Sequence, residues 1–138
     1  MNENSVRVGS AVILENGKGE ILLAKSNKDP VKGKWIIPGG GIKFGEKIKD
    51  AVVREIKEET GLNIEVTGFI TVYELIIPEK EHRIIFYHKG KVKSGKIKTS
   101  DDISEVIWIK PADVKKLNYV AYTVFDVLKI AGYLKGGR

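Results

Sequence analysis

The sequence contains no cysteine and no long apolar run. The lack of cysteine excludes disulfide scaffolds, thiolate zinc sites and cysteine nucleophiles together. No apolar stretch approaches the roughly 20 residues that a membrane-spanning helix needs. The first residues carry an acid and amides, where a secretory signal would have a positive charge followed by an apolar stretch. These absences predict a protein without a membrane span and with a cytoplasmic location.

A length of 138 residues predicts one domain, spanning 1–138. Lys and Arg outnumber Asp and Glu by 24 to 18, which gives a net charge of +6 and is compatible with anionic ligands. Many of the lysines at 89–98 alternate with apolar residues, a pattern more typical of the solvated side of strands than of a nucleic-acid groove reader. We therefore expect no nucleic-acid partner.

The order of apolar patterns predicts a mixed sheet between helices, an α/β fold with one helix early and one at the end. A proline and three glycines, Gly39, Gly40 and Gly41, predict that regular structure stops there. Asn118 is a candidate cap for a last helix that reaches Leu134. Strands are predicted at 6–15, 21–24, 35–37, 64–77, 82–88, 90–97 and 106–109, a helix at 46–60 that ends at Gly61, and a short helix from Pro111.

Three acids lean toward the apolar side of the helix predicted at 46–60. At 100° per residue, Glu59 falls between Ile48 and Val52, with Glu55 beside this stripe and Glu58 at its edge. Crowded carboxylates on a partly buried surface repel one another and lose water, so they need a positive charge. Spacing alone leaves two answers open: a divalent cation such as Mg²⁺ or Mn²⁺, or neutralisation by basic side chains, above all Arg54.

The glycines just before this helix favour the first answer, because backbone N–H groups approach phosphate oxygens closely where no Cβ intervenes. Taken together, the stretch resembles the Nudix box: Gly, five residues, Glu, seven residues, Arg-Glu, an aliphatic residue, any residue, Glu-Glu, any residue, Gly and an aliphatic residue. The matching positions are Gly40, Glu46, Arg54, Glu55, Ile56, Glu58, Glu59, Gly61 and Leu62.

The resemblance implies a Nudix-type α/β/α sandwich that hydrolyses a nucleoside diphosphate linked to another group. It implies that Glu55, Glu58 and Glu59 ligate Mg²⁺ or Mn²⁺, completed by the backbone at Gly40. Arg54 would orient a glutamate, and Glu46 would support that geometry by pairing. Water then attacks a phosphorus atom of the pyrophosphate, with Glu55 or Glu58 as first choice for the general base.

Other candidates rest on weaker patterns. Asp102 and Glu105 precede the late Trp-containing strand, where some family members place an extra acid. Arg83 is a candidate phosphate contact and Phe44 a candidate base contact, in addition to the phosphate-binding glycines Gly39, Gly40 and Gly41. Trp35 is expected in the core rather than against a base.

The substrate is not fixed by the box. The short chain favours a nucleoside triphosphate, ordinary or oxidised, that is cleaved to a monophosphate. The alternative is ADP-ribose or another sugar-linked nucleoside diphosphate, for which Pro78 resembles a subgroup marker. An alternative of another class is a non-catalytic nucleotide- or RNA-binding module. A homodimer is a further expectation, since homodimers are common in the family.

Overall fold

The computed structural model describes residues 4–136. Within these residues, seven strands form one sheet, two α-helices pack on its faces and a 3-10 turn precedes the second helix. The strands are β1 (Arg7–Glu15), β2 (Ile21–Ser26), β3 (Trp35–Ile36), β4 (Gly39–Gly41), β5 (Asn63–Ile77), β6 (Glu81–Ser94) and β7 (Ile103–Ile109); the helices are α1 (Ile48–Thr60) and α2 (Tyr122–Ile130), and the 3-10 turn is Pro111–Lys116.

The sheet is mixed. Its order is β3-β2-β1-β6-β5, with β4 added beside β1 and β7 beside β2. Strands β1 and β6 run parallel, in a register that pairs Arg7 with Arg83 and Glu15 with Lys91. The other pairs are antiparallel, including the hairpin of β1 and β2.

Alternate residues of β1 supply two separate cores, because successive side chains of a strand point to opposite faces. Val12 packs with Val52 and Ile56 of α1 on one face. Ile13 packs with Leu128 of α2 on the other. The predicted α/β/α sandwich with a mixed sheet is confirmed.

Helix α1 ends as predicted at Gly61, which has a φ of 80° and donates its N–H to the carbonyl oxygen of Lys57 over 3.0 Å. The helix begins at Ile48 rather than at Glu46. Glu46 instead closes a turn, since its N–H donates to the carbonyl oxygen of Lys43. This turn leaves the Glu46 side chain able to reach back toward the helix.

Strand β6 is one continuous strand, so the two strands predicted at 82–88 and 90–97 are wrong. Gly90 is not a break. A Cβ at this position would lie 2.8 Å from the carbonyl oxygen of Glu65 and 2.9 Å from Cγ2 of Val12. The glycine is therefore required by close packing inside the strand.

Asn118 does not cap α2, which begins after Ala121 and ends at Ile130. The segment before it is held extended against β3: the Trp35 N–H donates to the carbonyl oxygen of Tyr119, and the Ala121 N–H donates to the carbonyl oxygen of Trp35. These bonds prevent the helix from starting earlier. Neither α1 nor α2, the α-helices of residues 4–136, is long and apolar enough to cross a membrane.

Candidate active site

The three glycines form strand β4, which pairs antiparallel with β1, so the predicted end of regular structure at this point is wrong. Two of them permit close approaches. A Cβ on Gly39 would lie 2.3 Å from the carbonyl oxygen of Ser10, and one on Gly40 would lie 2.2 Å from the carboxyl carbon of Glu55. Gly39 thus allows the strands to pair closely, and Gly40 allows the Glu55 carboxylate to lie against the backbone.

Arg54 organises one acid before α1 and two acids within it. Its Nε donates to Glu46 over 2.7 Å, while Nη1 donates to Glu55 over 3.0 Å and to Glu58 over 3.1 Å. Its Nη2 also donates to Glu46 and to the carbonyl oxygen of Gly41. The hydrogen bond from Arg54 lowers the pKa of Glu46 to about 2, and the same contacts raise the pKa of Arg54. One guanidinium therefore fixes three carboxylates and one strand.

Glu59 has a different environment from these paired acids. Its side chain lies inside, with the residue 5% exposed, and its Oε1 has no hydrogen-bond partner in the described part of the chain. Burial, and then the charge of Glu55, raise the pKa of Glu59, while Lys28 acts in the opposite direction. A buried acceptor without a donor is costly, so this oxygen marks a position for a cation or a donor.

Glu55 and Glu59 open into a cleft of about 230 Å³, named here the acidic cleft. Its walls are β4 on one side and the loop after β2 on the other. A smaller cavity of about 120 Å³, named here the apolar recess, shares Gly40 and Arg83 with it. The recess is lined mainly by side chains of Val31, Ile36, Ile37, Leu75, Ile85 and Tyr87.

The donor set suits a hard divalent cation, because carboxylate oxygens are the ligands that Mg²⁺ and Mn²⁺ prefer. The observation that supports this fit is that Oε1 of Glu59 has no hydrogen-bond partner among residues 4–136. Among residues 4–136, no three acidic or imidazole groups converge into a ready-made metal centre. The reason is that Arg54 holds Glu55 and Glu58 to itself.

The predicted metal ligands differ in position. Glu55 is 17% exposed and lines the acidic cleft with Glu59. Glu58 is 55% exposed and does not line the cleft. Two of the three predicted ligands, Glu55 and Glu59, thus lie in the cleft, while Glu58 lies outside it and pairs with Arg54.

The two candidate extra acids, Asp102 and Glu105, also differ in position. Asp102 lines the acidic cleft, and its Oδ2 lies 3.4 Å from Nζ of Lys28. Glu105 is outside the cleft and pairs with Lys25 over 3.3 Å. The strand register explains the difference, because Glu105 lies opposite Lys25 within β7.

Of the predicted substrate contacts, the glycines of β4 and Arg83 line the acidic cleft. Phe44 lines neither cavity and is fully exposed in the loop between β4 and α1. Trp35 is buried in the core, as expected.

Sequence reasoning missed two cations of the acidic cleft, Arg7 and Lys28. No pattern distinguishes Lys28 from the chain's many other loop lysines. Arg7 stands at the start of β1, opposite Arg83, and only the parallel register reveals that the two are neighbours.

With this geometry in view, the comparison with known families is decisive: residues 6–128 match the NUDIX domain. The chain belongs to the NUDIX family. A protein of Methanocaldococcus jannaschii named ADP-ribose pyrophosphatase is 38% identical over 114 residues, which are 80% of this chain and 63% of that protein. A MutT-like protein of Streptomyces ambofaciens is 30% identical over 131 residues, covering 94% of this chain and 80% of its own length.

A solved structure of similar shape is the MutT NUDIX hydrolase from Burkholderia pseudomallei. It superposes with a TM-score of 0.83 at 26% identity, over 91% of this chain and 98% of the other. The predictions of the Nudix family and fold are confirmed, and the names of the relatives agree with the expected hydrolase of pyrophosphate bonds. The chain spans only 63% of the length of the M. jannaschii relative.

Proposed function

We propose that this NUDIX protein hydrolyses a pyrophosphate bond of a nucleoside diphosphate derivative with the help of Mg²⁺ or Mn²⁺. The preferred substrate is a nucleoside triphosphate, ordinary or oxidised, which gives a monophosphate. The observation that carries this proposal is the unpartnered carboxylate oxygen of Glu59, next to Glu55, in a cleft that also contains β4 and several cations.

In this proposal Glu55, Glu58 and Glu59 hold the cation together with the backbone at Gly40. A bound divalent ion offsets the charge of the phosphates and lowers the pKa of the attacking water. For Glu58 to take part, its carboxylate must turn from Arg54 toward the cleft. The contact is a single hydrogen bond on an exposed side chain, so the expected cost of this rotation is small.

Glu55 is our choice for the general base, with Glu58 as the next candidate. The Glu55 carboxylate lies against Gly40 and accepts a hydrogen bond from Arg54, so its position is fixed from two sides. A base held within reach of the attacking water contributes about 10²- to 10⁴-fold in rate. Arg54 is then a positioning residue, which acts through the glutamates that it holds. Asp102 is a further acid of the same cleft.

The shape of the cavities suggests how a nucleotide would lie. The glycines of β4 and the side chains of Lys28 and Arg83 offer donors to phosphate oxygens along the acidic cleft. The adjoining apolar recess would take the nucleobase. ADP-ribose is the second candidate substrate, because the M. jannaschii relative is named for it.

Three further expectations accompany this proposal: a single catalytic domain, a cytoplasmic location and a homodimer. Size-exclusion chromatography with light scattering measures the last of these. A monomer at all concentrations tested would contradict the homodimer.

The decisive experiment is a panel of dGTP, its oxidised form, ATP and ADP-ribose, assayed with Mg²⁺, with Mn²⁺ and with a chelator. We expect metal-dependent release of a monophosphate. Glu55→Gln should lower kcat by about 10²- to 10⁴-fold, and Glu58→Gln by orders of magnitude. The matched control is Glu65→Gln, since Glu65 is a surface acid of β5 paired with Lys91. Turnover in the chelator would contradict the proposal, and tight binding without turnover would indicate the non-catalytic module.

A further inference from the structure

Arg7 and Arg83 are direct neighbours on the two parallel strands of the sheet. Their side chains alternate in step with Ala11 and Tyr87, which face the α2 core, so both guanidinium groups leave the sheet on the same face. Both residues also line the acidic cleft that contains Glu55. A molecule bound at Glu55 can therefore extend within one cleft to both arginines.

Within residues 4–136, only one of the two arginines is held by an ion pair. Nε of Arg83 donates to Glu81 over 2.6 Å, which anchors the base of that guanidinium group. Arg7 forms no ion pair with any acid of residues 4–136. Two adjacent cations with one carboxylate repel each other, and a multivalent anion between them would relieve this repulsion.

We propose that Arg7 and Arg83 form a subsite for the terminal phosphate of a nucleoside triphosphate. This rests on the proposed function, because it assumes that the pyrophosphate lies beside Glu55 and β4. Guanidinium groups offer only donors, in a fork that matches phosphate oxygens. A neutral sugar in the same place would accept hydrogen bonds through its hydroxyl oxygens but would bring no negative charge to offset the two guanidinium groups.

The subsite would distinguish nucleoside triphosphates from ADP-ribose. A triphosphate brings a third phosphate to the arginines, whereas ADP-ribose brings a ribose. The subsite therefore predicts tighter binding of triphosphates, with most of the difference due to Arg7 and Arg83.

The test compares equilibrium binding of α,β-methylene ATP and α,β-methylene ADP, which differ by the terminal phosphate. We expect wild type to bind the triphosphate at least about 10-fold more tightly, the worth of one charge-assisted hydrogen bond. Arg7→Gln should remove most of that difference while leaving the affinity for the diphosphate unchanged. Arg7→Lys should give an intermediate result, because it keeps the charge and loses the fork. Lys93→Gln, at the far end of β6, is the matched control and should behave as wild type.

Steady-state kinetics provides the second readout. Arg7→Gln should raise the KM for dGTP by about 10-fold and leave kcat within about 3-fold, without changing the KM for ADP-ribose. Equal affinity of wild type for both analogues, or an equal loss of both in Arg7→Gln, would overturn the subsite. If wild type hydrolyses no nucleotide but the binding difference and its loss are observed, the proposed hydrolysis fails while the phosphate subsite stands.

Discussion

The two faces of the sheet are built on different principles. On the α2 face, β1 and α2 meet through apolar side chains such as Ile13, Val124 and Leu128. On the α1 face, polar side chains are buried with the apolar ones, among them Ser10, Glu59 and His88. The first face is stabilised mainly by the burial of apolar side chains, whereas the second also buries Glu59, whose Oε1 has no hydrogen-bond partner among residues 4–136.

The polar groups of the α1 face are not all alike. The Ser10 hydroxyl donates to the carbonyl oxygen of Ile48 over 3.0 Å, so Nε2 of His88 must donate to the same hydroxyl, at 3.2 Å. This network attaches the first turn of α1 to the sheet. Burial, and then Lys49, lower the pKa of His88, which favours the neutral ring. Among residues 4–136, Nδ1 of His88 and Oε1 of Glu59 are buried without a hydrogen-bond partner, and of these two residues only Glu59 lines the acidic cleft.

We expect the largest loss of stability from replacing Arg54, whose guanidinium group pairs with the acids of the α1 face. Arg54→Leu leaves the half-buried Glu46 and Glu55 without their guanidinium donor, and we expect the denaturation midpoint to fall clearly below that of wild type. Arg54→Lys should lose less, because it keeps the charge and gives up only the forked hydrogen bonds. Chemical denaturation measures both. An unchanged denaturation midpoint in Arg54→Leu would show that the acids do not depend on this residue.

The matching change on the α2 face is Leu128→Ala, at a fully buried position. The cavity should lower the free energy of unfolding by about 2–5 kcal/mol. Turnover per folded molecule should stay close to that of wild type, since no side chain of the acidic cleft is altered. A large fall in kcat in a folded sample would mean that the two faces are coupled.

Contacts between residues close in sequence were predictable, whereas contacts between residues far apart in the chain were not. The box and α1 were predictable, because the acids and the apolar stripe recur within one helix. Strand β4 and Gly90 were not, since their glycines are required by contacts with Glu55 and Val12, far away in sequence. The same applies to Arg7, which becomes a neighbour of Arg83 only through the parallel pairing of β1 and β6.

Substitutions at the adjacent Gly39 and Gly40 should affect stability and turnover differently. Gly39→Ala would press a Cβ against the backbone of Ser10 and Ala11, so we expect a loss of about 1–3 kcal/mol in stability. Gly40→Ala would meet the carboxyl group of Glu55 rather than backbone, so we expect a smaller loss of stability than in Gly39→Ala, while kcat falls with the displaced carboxylate. Thermal unfolding and turnover of the two variants test this. Equal losses of stability would contradict the assignment.

The smallest expected effect concerns Glu59 and pH. Because its pKa is raised in the folded state, the folded chain keeps a proton that the unfolded chain releases above the ordinary value of 4.5. Its contribution to stability is therefore lost as the pH rises through the folded pKa. Without divalent metal, Glu59→Gln should be more stable than wild type by about 1–3 kcal/mol in mildly alkaline buffer, with little difference near pH 4.5. Parallel pH profiles of the two proteins would contradict this account of Glu59.

The central claim is that Glu55 and Glu59 face each other in order to hold a divalent cation. Calorimetric titration with Mn²⁺, in the absence of nucleotide and near neutral pH, tests it most directly. We predict binding by wild type and by Glu65→Gln, and a loss of at least about 10²-fold in affinity when Glu55→Gln and Glu59→Gln are combined. Unchanged Mn²⁺ affinity in the folded double variant would contradict the claim.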